Sequence, residues 1–402
     1  MTDYIEAPLM TAEEAAAITV DAEEIADALP RVMAEHGVAI IANVASADDV
    51  AALEAAFAAD LSDVVDTKAA NTCGGAVRNA AAKLEAASSA MPAASAPLLS
   101  LDPQVTPGFC SGRGLPGGRF AWQARTLPSV RRVYEVLHGT DDICVGLDHS
   151  FFSPGAAPAY QSNPSWPHVD LNTRDKSIRD SDGISIGQWT VYQGLLYCWS
   201  SESERASTTV VWPGSHLQPC DQIQASVDNG GHHFSMIGNV TDPAARASLM
   251  EGWTAGARRV PVPAGALLVW SSRTSHQGWS GGPRLAHPLC WEPKGRRSAA
   301  ARDRKMRLAA VGLPTTHWAS QGIPHGRPPC FPQPPTAARP GRGGQTVQLP
   351  MRSSLRPVTL RDGVELEQAW SLVGGSRWDR PLSEAKRAEL EAMLRPEVVD
   401  VL

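Results

Sequence analysis

The spacing of hydrophobic positions changes along the chain. Residues 11–35 are rich in Ala and Glu and predict helix, and the apolar run GVAIIANV at 37–44 predicts a strand. Ser46 and Asp49 have the spacing of a capping box, which predicts a helix over 48–61. The chain therefore begins with helix, strand and helix.

Short apolar runs alternate with turn clusters between residues 143 and 291. One such strand is predicted over 266–270, after a Pro-Ala-Gly turn. This alternation is typical of a double-sheet jelly roll, in which each strand buries one face against the opposite sheet. We therefore expect a fold that is mainly β with flanking helices (α+β), built on a double-stranded β-helix (jelly roll, cupin-like) core.

Composition divides the chain into three parts. We predict a helical acidic arm over 1–36, a jelly-roll domain over 37–325, and a Pro/Gly-rich linker with a C-terminal extension over 326–402. Inside the domain, residues 66–118 are rich in Ala, Ser, Gly and Pro, which predicts an irregular insertion. That insertion is either a lid over the site or a segment without a functional role. The last predicted helix covers 383–394.

Two histidines and one aspartate carry the candidate chemistry. His168 and Asp170 lie in PSWPHVDLN, and His276 lies in LLVWSSRTSHQGWSGGPR. Side chains two positions apart in a strand point the same way, so His168 and Asp170 can bind one metal ion together. Two imidazoles and a carboxylate on one face suit Fe(II), because the remaining positions stay open to oxygen ligands and O2. Each residue alone would more simply be structural.

The chain resembles the phytanoyl-CoA dioxygenase (PhyH-like) family of Fe(II)/2-oxoglutarate-dependent oxygenases. The resemblance rests on three motifs: WPHVD at 166–170, YQGLLYCWSSESERASTTVVWPGSH at 192–216, and LLVWSSRTSHQGWSGGPR at 267–284. It extends to residues 118–154 and 313–325 and covers most of the chain. The triad together with the following arginine is its most specific part.

The resemblance implies a role for each matching residue. His168, Asp170 and His276 match the catalytic metal ligands, and Arg284 matches the arginine that binds the distal carboxylate of 2-oxoglutarate. Arg273, which precedes the third ligand, is a competing candidate for that carboxylate. A guanidinium is suited to the task because it grips a carboxylate with two parallel hydrogen bonds.

Six further residues are weaker candidates. Cosubstrate contacts are expected from Gln193, Tyr192 and Ser275, although strand alternation allows Gln193 either face and Ser275 is equally suited to capping a turn. Walls of the substrate pocket are expected from Trp122, Arg125 and Trp166. The alternative for these three is ordinary core packing, with a surface salt bridge for Arg125.

The implied reaction oxidises a C–H bond of a small organic or lipid-like substrate. It consumes O2 and 2-oxoglutarate, releases succinate and CO2, and uses Fe(II) that ascorbate helps to keep reduced. Asp170 favours hydroxylation over halogenation, because Gly or Ala in its place would leave room for a halide. The alternatives are a cupin-like metalloenzyme that does not use 2-oxoglutarate, an oxygenase of nucleic acid or protein, and a non-catalytic binding protein.

Charge is unevenly distributed behind the net value of −6. Residues 1–66 contain 15 Asp and Glu against Arg31 alone, whereas residues 294–361 contain 13 Lys and Arg against Asp303 alone. The basic segment would recruit an anionic small molecule, pack on the acidic arm, or be solvated. Basic and aromatic residues do not interleave, so a nucleic-acid partner is not expected.

The remaining composition fits a cytoplasmic enzyme. The seven cysteines are scattered without a Cys-x-x-Cys motif, which indicates reduced thiols. No apolar run approaches 18 residues and the N-terminus is acidic, so neither a membrane span nor a secretory signal is expected. The sequence does not indicate an oligomeric state.

Overall fold

The computed structural model describes residues 6–66, 115–153, 163–172, 191–227, 234–310, 314–320, 339–340, 346–347, 366–376 and 381–393. Most of the insertion predicted at 66–118 and most of the linker after residue 326 lie outside these ranges. The lid therefore stays a prediction.

Helices and strands alternate along the described chain. The helices are α1 (Ala12–Ala17), α2 (Ile25–His36), α3 (Ala47–Asp66), α4 (Arg119–Thr126), α5 (Pro128–His138), α6 (Gln218–Ser226), α7 (Pro243–Gly256), α8 (Ala299–Ala310), α9 (Leu366–Leu372) and α10 (Glu384–Met393). The strands are β1 (Thr19–Asp21), β2 (Val38–Ala42), β3 (Ile143–Val145), β4 (Phe151–Ser153), β5 (His168–Val169), β6 (Tyr192–Tyr197), β7 (Thr208–Val211), β8 (Ser235–Met236), β9 (Arg258–Arg259), β10 (Leu267–Ser271), β11 (His276–Trp279), β12 (Arg284–Leu289), β13 (Trp291–Pro293), β14 (Arg339–Pro340) and β15 (Thr346–Val347).

Two sheets form the centre of the molecule. One has six strands in the order β1-β2-β10-β6-β12-β4, and the other has five in the order β8-β5-β11-β7-β9. Apart from the parallel pair β1 and β2, the neighbours in both sheets are antiparallel. Gln193 donates across to Asp170 and the Tyr197 hydroxyl contacts that of Thr209, so the sheets face each other. The fold is mixed α+β with antiparallel sheets, as the sequence predicts.

Helices cover the outer faces of both sheets. Phe57 of α3 packs with Phe120 of α4 and Phe152 of β4, with ring centroids 5.1 and 5.0 Å apart. On the five-stranded sheet, Ile223 of α6 and Trp253 of α7 belong to a second hydrophobic cluster. The two sheets are thus the inner layers of a four-layer arrangement, with helices outside each. Polar side chains between the sheets are screened from bulk water.

The structure of the N-terminal region agrees in part with the prediction from the sequence. Ser46 and Asp49 form the capping box: the Asp49 N–H donates to Ser46 Oγ at 3.1 Å and the Ser46 N–H donates to Asp49 Oδ2 at 2.9 Å. The helix predicted over 11–35 is wrong in its middle, where β1 pairs with β2. The β-branched run Ile18-Thr19-Val20 explains this, because such side chains favour a pleated strand.

The basic segment packs on the C-terminal extension. Lys305 of α8 is fully buried and donates to the Ala319 carbonyl at 2.6 Å, and Arg302 lies 4.7 Å over the Trp370 ring of α9. Lys294, Arg296 and Arg302 form ion pairs with Asp142, Glu292 and Asp303, none of which belongs to the acidic arm. This part of the segment therefore packs in part on the C-terminal extension, while Arg304 is exposed.

Four cysteines are buried as free thiols: Cys144, Cys198, Cys220 and Cys290. The other three lie outside the described residues. Among the helices of the described chain, none combines the length and the apolar composition that crossing a membrane requires.

Candidate metal centre

The pairing of β5 with β11 brings the three predicted ligands together. His168 and His276 stand directly opposite each other in this antiparallel pair, and Asp170 follows β5 immediately. The candidate donor atoms of the three side chains all lie within 4.8 Å of one another, and all three residues are buried. The group could hold a metal ion.

Backbone carbonyls orient both imidazoles. His276 Nδ1 lies 2.9 Å from the Thr274 carbonyl, and His168 Nδ1 lies 3.3 Å from that of Trp166. Each ring can therefore donate from Nδ1 and present Nε2 to a metal ion, and such a carbonyl partner is the usual outer support of a metal-binding histidine. His276 Nε2 lies 3.0 Å from Asp170 Oδ2. Perpendicular donors on one ion, each bound at ~2.1 Å, are also ~3 Å apart, so the donor set fits a metal.

The protonation states also suit a metal. Burial and, to a smaller extent, the neighbouring His276 lower the pKa of His168 to about 4, whereas Asp170 acts in the opposite direction. Burial by itself would raise the pKa of Asp170, but the imidazoles of His317, His168 and His276 together hold it well below its usual value. At neutral pH the site offers a neutral imidazole and an ionised carboxylate, the forms that bind cations.

Gln193 supports the carboxylate from the opposite sheet. Its Nε2 donates to Asp170 Oδ2 at 2.8 Å and lies 3.2 Å from Ser272 Oγ. The Gln193 side chain therefore faces the space between the sheets. Strand alternation in the sequence allowed either face. Gln193 contacts a candidate ligand, so it acts on the metal centre through Asp170.

Arg284 lies on the inner face of β12 without a carboxylate partner in the described chain. Its Nη2 donates to the Tyr197 hydroxyl at 2.9 Å and lies 3.3 Å from Thr209 Oγ1, while its Nε has no hydrogen-bond partner among the described residues. The guanidinium also lies 4.8 Å over the Phe151 ring. A buried guanidinium with so few acceptors retains the capacity to bind an anion.

The strand register places this arginine in the same space as the metal centre. His276 pairs with Val211 and Gly278 pairs with Thr209, so His276 and Thr209 share one face of the five-stranded sheet. Gly278 lies between them and has no side chain. A Cβ there would meet only the Trp166 ring among the described residues, at 3.7 Å. The inner face thus leaves room between the metal centre and the guanidinium of Arg284.

Three predicted residues lie elsewhere. Tyr192 turns to the outer face, where its ring contacts His138, and Arg273 pairs with Asp221. Both line a separate groove of about 480 Å³. Ser275 precedes His276 and, by alternation, points away from the centre; its N–H binds the Ser215 hydroxyl. The structure therefore does not bring Tyr192, Ser275 or Arg273 to the metal centre.

The three predicted wall residues differ in their surroundings. Trp122 is fully buried in the main hydrophobic core. Arg125 is fully buried and donates to the Pro116 and Asp148 carbonyls, so neither a pocket wall nor a surface salt bridge describes it. Trp166 does lie at the metal centre, stacked on His168 with centroids 4.7 Å apart and 40% exposed.

Sequence reasoning assigned no role to three residues of the site, although the family resemblance covers His317. Tyr197 and Thr209 contact Arg284, and Tyr197 lies four positions after Gln193, on the same face of β6 by alternation. His317 lies with Nε2 3.7 Å from Asp170 Oδ1. No spacing rule predicts His317, because its segment reaches the site only through tertiary packing.

Comparisons with known proteins give distant structural similarity. No family model and no curated protein matches the chain. GlcNAc Inducible Gene 2 (GIG2) from Candida albicans has a TM-score of 0.45 and 12% identity, covering 96% of this chain and 87% of its own. The epimerase SnoN in complex with Fe3+, alpha ketoglutarate and nogalamycin RO has a TM-score of 0.36 and 16% identity, covering 68% and 84%. EctD from S. alaskensis with 2-oxoglutarate and 5-hydroxyectoine has a TM-score of 0.34 and 15% identity, covering 74% and 80%. A function must therefore be argued from the side chains.

Proposed function

We propose that the protein is an Fe(II)/2-oxoglutarate-dependent dioxygenase with a double-stranded β-helix core. The observation that carries the proposal is the buried group His168, Asp170 and His276, which shares its inner space with the guanidinium of Arg284. Two imidazoles and one carboxylate suit Fe(II) and leave positions for a bidentate cosubstrate and O2. When bound, the iron and 2-oxoglutarate supply the oxidising power for attack on a C–H bond.

The protein residues would bind and orient the reactants. His168, Asp170 and His276 would hold the iron, and Arg284 would neutralise the distal carboxylate of 2-oxoglutarate. The Tyr197 and Thr209 hydroxyls, which already contact Arg284, would fix the plane of its guanidinium. Trp166, stacked on His168 and partly exposed, would form one wall of the substrate site. We propose a small organic or lipid-like substrate, with anionic substrates included among those to be tested.

The experiment is succinate release from 2-oxoglutarate by the purified protein with Fe(II), O2 and ascorbate, screened over pools of small molecules. We expect slow succinate formation alone and faster formation with pools that contain the substrate. His276→Ala is the matched control and should form none. Fe(II) binding without succinate formation in any pool would favour the second candidate, a cupin-like metalloenzyme that does not use 2-oxoglutarate.

A further inference from the structure

A third histidine, His317 in residues 314–320, lies beside the metal-binding group. His317 Nε2 is 3.7 Å from Asp170 Oδ1, and His317 Nδ1 is 3.9 Å from Asp148 Oδ2. The His317 side chain is only 18% exposed, and its buried Nε2 has no hydrogen-bond partner in the described chain. A buried polar nitrogen without a partner is unfavourable, so its position next to a carboxylate needs an explanation.

The packing of the segment fixes the ring in place. The Thr315 N–H donates to the Leu147 carbonyl at 2.9 Å, and the Leu147 N–H donates to Thr315 Oγ1 at 3.0 Å. Trp318 is fully buried. Gly146 permits the close approach, since a Cβ there would lie 2.6 Å from the His317 carbonyl oxygen. The position of His317 is therefore set by contacts on both sides of it.

The two oxygens of Asp170 have unequal partners. Oδ2 accepts the hydrogen bond from Gln193 and lies beside His276 Nε2. Oδ1 accepts no hydrogen bond within the described chain; its neighbours are the Nε2 atoms of His168, at 3.6 Å, and of His317. If His168 Nε2 binds the metal, it has no proton to donate. His317 is then the remaining donor for Oδ1.

We propose that His317 is a positioning residue of the metal centre, which donates from Nε2 to Asp170 Oδ1 when an ion is bound. The present 3.7 Å separation is too long for a hydrogen bond, and a shift of about 0.8 Å would close it. Gln193 then holds one carboxylate oxygen and His317 the other, which fixes the plane of the ligand. The proposal rests on the metal-binding half of the proposed function and is independent of 2-oxoglutarate.

Three substitutions separate this role from packing. His317→Gln places an amide nitrogen near the position of Nε2 and keeps a donor toward Asp170. His317→Asn places its amide near Nδ1, toward Asp148, and His317→Phe keeps a ring without any donor. His138→Phe is the matched control, because His138 is a largely buried histidine on the outer side whose Nε2 contacts the Trp291 carbonyl.

The experiment is anaerobic titration of the full-length protein and these variants with Co(II), followed by its visible spectrum, with thermal unfolding measured on the same samples. Loss of an outer partner of a ligand weakens metal binding by about 10- to 100-fold. We expect that loss in His317→Phe and His317→Asn, near wild-type binding in His317→Gln, and no change in His138→Phe.

Two results with the variants would overturn the proposal. One is Co(II) binding by folded His317→Phe with wild-type affinity and spectrum. The other is equal weakening in all three His317 variants that parallels their loss of thermal stability, which would mean a packing role. A wild-type protein that binds Co(II) but, with Fe(II), releases no succinate would overturn the dioxygenase and leave His317 in place. A wild-type protein that binds no Co(II) would overturn both.

Discussion

The two faces of strand β12 bury polar groups in different ways. On the outer face, His287 Nδ1 contacts Ser150 Oγ at 2.9 Å, and its ring packs edge-on against Phe120. On the inner face, the hydrogen bonds of Arg284 within the described chain go to the hydroxyls of Tyr197 and Thr209. Both residues are buried, so burial alone does not distinguish a structural polar group from a functional one.

Two of the buried arginines, Arg125 and Arg284, make the difference clearer. Arg125, in the helical layer, donates from Nη1 to the Pro116 carbonyl and from Nη2 to the Asp148 carbonyl, at 2.8 and 2.9 Å. These acceptors are backbone carbonyls that engage both terminal nitrogens, although Nε of Arg125, like that of Arg284, has no hydrogen-bond partner among the described residues. Arg284 has neither a carbonyl nor a carboxylate acceptor within the described chain. The type of acceptor therefore indicates which guanidinium is available to an anion.

The largest expected difference between the faces is the loss of a metal ligand. His276→Ala removes one of three protein donors, so we expect metal content and succinate formation to fall to background while the protein stays folded. His287→Ala is the outer-face control. It should retain the metal and lose roughly 2 to 3 kcal/mol of stability, because it leaves a cavity and an unpaired Ser150 hydroxyl. Metal analysis, the succinate assay and urea unfolding measure these outcomes. Turnover by His276→Ala at the wild-type rate would show that His276 is not a metal ligand.

The next largest effect concerns Arg284 and Arg273, the two candidates for binding the distal carboxylate of 2-oxoglutarate. Loss of a charge-assisted contact to a carboxylate costs on the order of 2–5 kcal/mol, or roughly 30-fold to several-thousand-fold in affinity. Arg284→Leu should raise the 2-oxoglutarate concentration for half-maximal turnover by such a factor. Arg273→Leu should not, because Arg273 pairs with Asp221 beside the separate groove. The reverse pattern in the succinate assay would assign the carboxylate to Arg273.

Local patterns in the sequence predict much of the centre. The spacing of His168 and Asp170 places both on one side of a strand, and the strand predicted over 266–270 forms at Leu267–Ser271, after its Pro-Ala-Gly turn. The capping box at Ser46 and Asp49 forms as predicted. Each of these features depends on neighbours within a few positions, which is the range over which strand alternation and helix capping act.

Features that depend on tertiary pairing could not be predicted in this way. The pairing of β6 with β10 and β12 determines which face of β6 points between the sheets, and therefore that the Gln193 side chain points inward. His317 reaches Asp170 because its segment packs beside Leu147. Helix α7 did have a local signal that sequence reasoning passed over: Asp242 caps it and Pro243 is its first residue.

A smaller expected effect is the dependence of stability on pH. Burial, together with the nearby Arg296, lowers the pKa of His138 to about 4. In the unfolded chain its pKa is about 6.5, so between pH 6.5 and 4 only the unfolded chain takes up a proton at this site. The free energy of unfolding therefore falls as the pH falls, by about 3 kcal/mol for this residue.

Urea unfolding of metal-free wild type and His138→Phe at pH 7 and pH 4 tests this contribution. The stability advantage of the wild type over the variant should shrink at pH 4, because the variant lacks the titrating imidazole. Saturating metal should leave this difference unchanged, since His138 belongs to the outer side. An advantage that stays the same at both pH values would contradict the lowered pKa of His138.

The smallest expected effect is at the outer-face hydrogen bond of β12. Ser150→Ala leaves His287 Nδ1 without its partner in a buried position, which should cost about 1–2 kcal/mol of stability. Co(II) affinity should stay at the wild-type value, because the Ser150 and His287 pair lies across the sheet from Asp170. Urea unfolding and Co(II) titration of the same sample measure both quantities. If Ser150→Ala weakened Co(II) binding as much as His317→Phe, the two faces would be coupled through the loop that carries Asp148, and the outer polar groups would belong to the metal centre as well.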